Sequence, residues 1–77
     1  MKIMYKDHIL STTKSSFKNC INELEQNSNF EELFINGELK WNIAIFWRGA
    51  MYTVEQLGDK KLDEKEELLI ILQLAGG

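Results

Sequence analysis

The residues with the clearest chemical potential are the last two, Gly76 and Gly77, which follow an unbroken apolar run at residues 68–72. Glycine has no Cβ, so a Gly-Gly segment can lie extended in a channel too narrow for any side chain. It also leaves a terminal carboxylate open on both faces, as an enzyme that activates such a carboxylate requires. At ordinary glycine usage the pair would close about one chain in 200 by chance, so the rest of the sequence must support the reading. Little else competes. Cys20 is the single cysteine and His8 the single histidine, which leaves no internal disulfide and no metal-ligand cluster. No Ser/His/Asp set and no glycine-rich phosphate loop is present.

The 77 residues make one domain, residues 1–77, with a tail at 74–77. A chain this short buries about 60–65% of the surface exposed by its unfolded form. Hydrophobic content of 44% and aromatic content of 10% suffice for one core but not for a deep substrate cavity within it. That favours a protein presenting a surface or a tail over a self-sufficient enzyme. The net charge of −3 gives no electrostatic footprint for nucleic acid or an anionic membrane. The opening residues lack the apolar region of a signal peptide, and no stretch is long enough to span a bilayer. The expectation is a cytoplasmic protein. With no proline, repeat or low-complexity tract, no internal boundary is visible.

The elements that would position the tail follow from patterning. Residues 1–5 alternate as a first strand, Lys6-Asp7 turns, and residues 8–12 return. Ser15 or Ser16 offers an N-cap hydroxyl, after which Phe17, Cys20, Ile21 and Leu24 recur at i, i+3, i+4 and i+7 on one helix face. The sequence at 27–29 ends that helix. Residues 30–34 read as a single helical turn stopped by Asn36-Gly37. Residues 42–47 alternate, with Ile43, Ile45 and Trp47 on one side and Ala44 and Phe46 on the other. Arg48-Gly49 turns the chain into a return strand at 50–54. A loop at 58–61 and a charged approach at 63–67 lead to the final strand, residues 68–74, apolar enough to be central. This order makes an α+β layer, a mixed sheet wrapped over one main helix. If the last strand lies beside the first, the two are parallel, because the connection is long enough to cross over.

At this point particular stretches resemble a known family. NIAIFWRG at 42–49 is similar to a strand-turn of the small subunit of molybdopterin synthase and its relatives, and FEELFINGELK at 30–40 resembles the lead-in of that group. The order GDKKL, DEKEE, LLIIL and then AGG, from 58 to 77, follows the group's loop, acidic turn, apolar strand and Ala-Gly-Gly tail. MKIMY at 1–5 resembles the opening strand of the thiamine sulfur carrier. The likeness is strongest over residues 30–77. Two features differ from the group: Glu64-Lys65-Glu66 stands in place of an Asp-Gly-Asp turn, and Leu72-Gln73 in place of a Pro-Pro pair.

The resemblance implies a ubiquitin-like β-grasp fold and a sulfur carrier for cofactor biosynthesis, with molybdopterin first and thiamine or another cofactor as alternatives. An ATP-dependent adenylating enzyme would convert the Gly77 carboxylate to an acyl-adenylate. A persulfide donor would then displace AMP and leave a thiocarboxylate, which delivers sulfur in the large subunit of a synthase. Leu74, Ala75 and Gly76 would thread the partner's channel. The chain would be a protein-sized co-substrate, binding no cofactor or metal and contributing no catalytic residue. Two alternatives stand beside this: a ubiquitin-like modifier joined to lysines through Gly77, and a β-grasp binding module whose glycines are incidental.

A partner also needs a surface. If Leu68, Ile70 and Leu72 face the helix, Leu69 and Ile71 point away with Ala44 and Phe46 one strand over. These four would form an exposed apolar patch, the usual mark of an interaction site. Burying ~300 Å² of it at ~25 cal/mol/Å² would supply several kcal/mol before association costs. The competing expectation is that the loop at 53–62 folds over them. The remaining conspicuous residues read as structural: Cys20 as core, His8 as surface, Trp41 and Trp47 as packing, and Lys60-Lys61 as solvated.

Overall fold

A computed structural model describes residues 1–73; residues 74–77, which hold the tail, lie outside the described residues. The chain begins with β1 (Lys2–Tyr5) and β2 (His8–Ser11), joined by the turn at Lys6-Asp7. Helix α1 (Phe17–Glu25) follows, capped by Ser16, whose hydroxyl accepts the Asn19 N–H. Its apolar stripe places Phe17, Cys20 and Leu24 in the core, with Ile21 packed at the margin. A 3-10 helix (Ser28–Leu33) then buries Phe30 and Leu33.

Next come the short strands β3 (Phe34–Ile35) and β4 (Glu38–Leu39), a small separate hairpin. The sequence predicts a helical turn at 30–34 stopped by Asn36-Gly37, with no element assigned to the residues around that pair. The structure corrects this: Asn36 and Gly37 both adopt positive φ, 52° and 81°, the turn geometry that Asn-Gly favours between antiparallel strands. Strand β5 (Ile43–Trp47) turns through Arg48-Gly49 into β6 (Ala50–Thr53). A second correction follows, because Val54 starts α2 (Val54–Leu57) and does not extend the strand. Thr53 and Gln56 form a reciprocal capping box, Gln56 N–H to Thr53 Oγ1 and Thr53 N–H to Gln56 Oε1, which stops the strand by satisfying helix amides. The last described element is β7 (Glu67–Leu72).

The main sheet is mixed and five-stranded, in the order β2-β1-β7-β5-β6. The last strand lies between the two outer hairpins. It runs parallel to β1, with Ile3 opposite Leu68, and antiparallel to β5, with Ile45 opposite Ile70. Its inward residues Leu68 and Ile70 meet α1, the 3-10 helix and α2 in one core that also holds Ile3, Phe17, Phe30 and Ile45. The fold is therefore a small α+β domain with helices covering one face of a mixed sheet. No helix of the described residues is long and apolar enough to cross a membrane.

Candidate functional site

Among the described residues the other face of the sheet carries no helix, and strand register sets what it presents. Met4 stands opposite Ile9 on β2 and Leu69 on β7. Leu69 stands opposite Phe46 on β5, and Phe46 opposite Met51 on β6. Directly opposed residues share a face, so Ile9, Met4, Leu69, Phe46 and Met51 form one apolar row across all five strands. Ile9 is 61% exposed, Met51 45% and Phe46 40%. Beside this row, Ala44 stands opposite Ile71.

The four residues expected to make an exposed patch are thus neighbours, but their exposure is unequal. Ala44 is only 7% exposed, which corrects its expected role as an exposed group. A methyl side chain on the inner strand β5 lies below the tops of the larger groups around it. Leu69 and Ile71 are half-buried, and Phe46 protrudes. Ile9, Met4 and Met51 were not anticipated. Alternation within each strand could have put them on the outer face, yet joining them into a row needs the pairing register. The segment at 53–62 does not fold over this face. It is stitched to the helical side, where Lys18 N–H donates to Gly58 O at 2.9 Å and Leu62 N–H to Ser15 O at 2.6 Å, with Leu57 and Leu62 buried in the core.

The exit of β7 is built with equal care. Gln73 N–H donates to Asn42 O at 2.8 Å, and the Asn42 side-chain amide donates back to Gln73 O. Asn42 thus holds both backbone groups of the last described residue. Gly77, the expected site of adenylation, and Leu74, Ala75 and Gly76, the expected threading residues, lie outside the described residues. On the β1 side of the exit is an apolar groove of about 400 Å³, lined by Leu69 through Leu72 with Tyr5, Lys6 and Glu32 at its rim. The Tyr5 hydroxyl donates to Glu32, and Lys6 Nζ lies 3.1 Å from the same carboxylate oxygen. Tyr5 foremost and Lys6 next hold the Glu32 carboxyl below its ordinary range. Burial and the adjacent carboxylate push the Tyr5 hydroxyl up.

At the opposite end of β7, Glu66 accepts from the Trp47 indole and pairs with Arg48, whose Nη2 lies 2.6 Å from Glu66 Oε1. The sequence reading placed Glu66 in a charged approach with no partner assigned. Trp47 is buried, and its ring lies tilted against that of Tyr52, centroids 5.7 Å apart. Trp41, expected to pack, is 82% exposed; it lies between β4 and β5, outside the paired register, and none of the described elements covers it. Cys20 is fully buried, and its thiol donates to Ser16 O at 3.1 Å. His8 meets the edge of the Phe30 ring. Among the described residues no group of three His, Cys, Asp or Glu side chains comes together as metal ligands.

Comparisons of the chain with protein-family profiles, with curated proteins and with solved structures found no match.

Proposed function

We propose that this chain is a β-grasp sulfur carrier, activated at the Gly77 carboxylate and read by its partners through the open face of the sheet. One observation carries the reading: β7, the central strand, ends at Leu72 and is followed in sequence by Gln73-Leu74-Ala75-Gly76-Gly77. The strand is held on both sides as far as Leu69 and by β5 and Asn42 to its end, which fixes the point from which the chain continues. Gly76 and Gly77 then supply the steric clearance that an adenylating site needs. The strand order β2-β1-β7-β5-β6, with the first and last strands parallel, supports the β-grasp assignment.

In this reading the carboxylate attacks ATP at phosphorus, pyrophosphate leaves, and the product is an acyl-adenylate. A persulfide sulfur then displaces AMP, and a thiol cleaves the acyl disulfide to release the thiocarboxylate. The partner enzymes carry these steps, molybdopterin synthesis being the first destination to examine. The chain's own contributions are the tail and the surface: Phe46, Leu69 and Ile71, joined by Ile9, Met4 and Met51, offer the apolar contact that orients it. Ala44 adds close packing between them.

The test is the intact mass of the protein from its native cells. Replacement of one oxygen by sulfur, reversed on removal of Gly77, is the expected result. Adducts linking Gly77 to lysines of other proteins would replace this reading by a ubiquitin-like modifier. Full biological activity after removal of Gly76 and Gly77 would leave a binding module.

A further inference from the structure

The two neighbours of β7 do not end together. On the β5 side pairing continues to Ile43 opposite Leu72 and on to the Asn42–Gln73 bonds. On the β1 side it stops at Met4 opposite Leu69, because Lys6 adopts a φ of 54° and turns the chain away into β2. The orientation of the exposed backbone follows from two bonds. Gln73 N–H donates to Asn42 O, and Lys2 N–H donates to Glu66 O. In an extended strand successive residues aim their backbone polar groups to opposite sides. Odd-numbered residues of β7 therefore bond toward β5 and even-numbered ones toward β1. The Ile70 carbonyl and the Leu72 N–H point to the β1 side where β1 has already left. Among the described residues neither has a backbone partner beyond that point.

These two groups face the 400 Å³ groove beneath Tyr5, Lys6 and Glu32. An acceptor and a donor two residues apart on a strand edge are what a further extended chain pairs with. We propose that this notch is a strand-addition site for a short extended peptide of a partner protein, uncharged and apolar at alternate positions. Charge selects that chemistry. Lys6 and Glu32 neutralise each other across the rim, leaving the groove without net charge, and the chain's net charge of −3 disfavours acidic segments. Leu69 and Ile71 on the open face meet the apolar positions of the added strand. This site is separate from the tail chemistry and stands or falls without it.

The probe is an acetylated, amidated TVTVTV hexapeptide titrated into isotopically labelled full-length chain. At about millimolar peptide, a concentration suited to short segments that must order on binding, amide signals of residues 70–72 should shift saturably. Exchange of the Leu72 amide should slow about tenfold. Leu72→Pro removes a donor outside the β5 ladder, where proline's missing N–H faces no strand, together with a side chain packed at the margin of the core; binding should be lost. The same peptide N-methylated at alternate residues should also fail against the unaltered chain, which keeps the test sound if the proline variant does not fold. Three outcomes overturn the proposal: no shifts at these residues, shifts confined to Ile9, Phe46 and Met51, or a Leu72 amide slowed by self-association before peptide is added.

Discussion

Arg48 reaches across the sheet edge to Glu66, placing Nη2 2.6 Å from Oε1, while its guanidinium carbon sits 4.8 Å from the centre of the Trp47 ring. Arg48 occupies a turn position with φ of 50°, where a non-glycine residue is unfavourable. The side chain that makes the turn costly also ties it to the residue before β7.

Acid should reveal this pair. Hydrogen bonds from Arg48 and then Trp47 hold the Glu66 carboxyl below its ordinary 4.5, and Tyr5 and Lys6 do the same for Glu32. The unfolded chain then binds more protons than the folded one in that range. Stability contributed by these groups is present above pH 4.5 and is lost as pH falls through the lower folded values. Thermal melts from pH 6 to pH 3 should show a falling Tm, with a shallower fall in Glu66→Gln. Equal slopes in the two proteins would remove Glu66 from the account.

Phe17→Ala should cost about 3–5 kcal/mol, the range for deleting a fully buried aromatic, read by urea denaturation. The ring starts the apolar stripe of α1 and is fully buried.

Phe46→Ser should change stability by only about 1 kcal/mol, since the ring is 40% exposed, yet weaken pull-down of the adenylating enzyme proposed as partner. Unchanged partner binding in this variant and in Met51→Ser would deny the open face its proposed role.

On the proposed carrier function, Gly77→Ala should leave Tm unchanged and block adenylation, followed by ATP–pyrophosphate exchange with the adenylating enzyme proposed as partner. Undiminished exchange would rule out a steric requirement for glycine.

Cys20 should resist alkylation in the folded chain, reacting ~100-fold or more slowly than in denaturant, because reaching it requires local opening. Burial pushes its thiol up, which lowers the reactive thiolate fraction further.

Much of the architecture was legible where one pattern spanned several residues. The spacing of Phe17, Cys20, Ile21 and Leu24 is long enough to mark α1, and five consecutive apolar residues marked β7 as central. The hairpin of β3 and β4 escaped because two-residue strands cannot show alternation; only Asn36-Gly37 signalled it. Helix α2 escaped for a similar reason, since four residues hold barely one turn, and its trace was the Thr53–Gln56 capping pair. The open-face row was half legible. Alternation put Phe46 and Leu69 outward, but which residues stand beside them depends on register, a property of two strands at once. Trp41 was misplaced because aromatic character favours burial on average and says nothing about whether another element arrives to cover it.

The position of β7 has a consequence in time. The hairpin of β1 and β2 and the hairpin of β5 and β6 belong to one sheet only through the strand between them, and β1 must wait for a partner more than 60 residues later, Lys2 for Glu67. At synthesis rates of about 5–20 residues per second, that wait lasts seconds. Throughout it the first hairpin has an unoccupied edge, and Ile3, already opposite Leu10, lacks its second neighbour Leu68. The closing contacts are also the most distant along the chain, which slows folding. This domain should therefore assemble at once when β7 arrives, with β1 among the last strands to be secured on both sides.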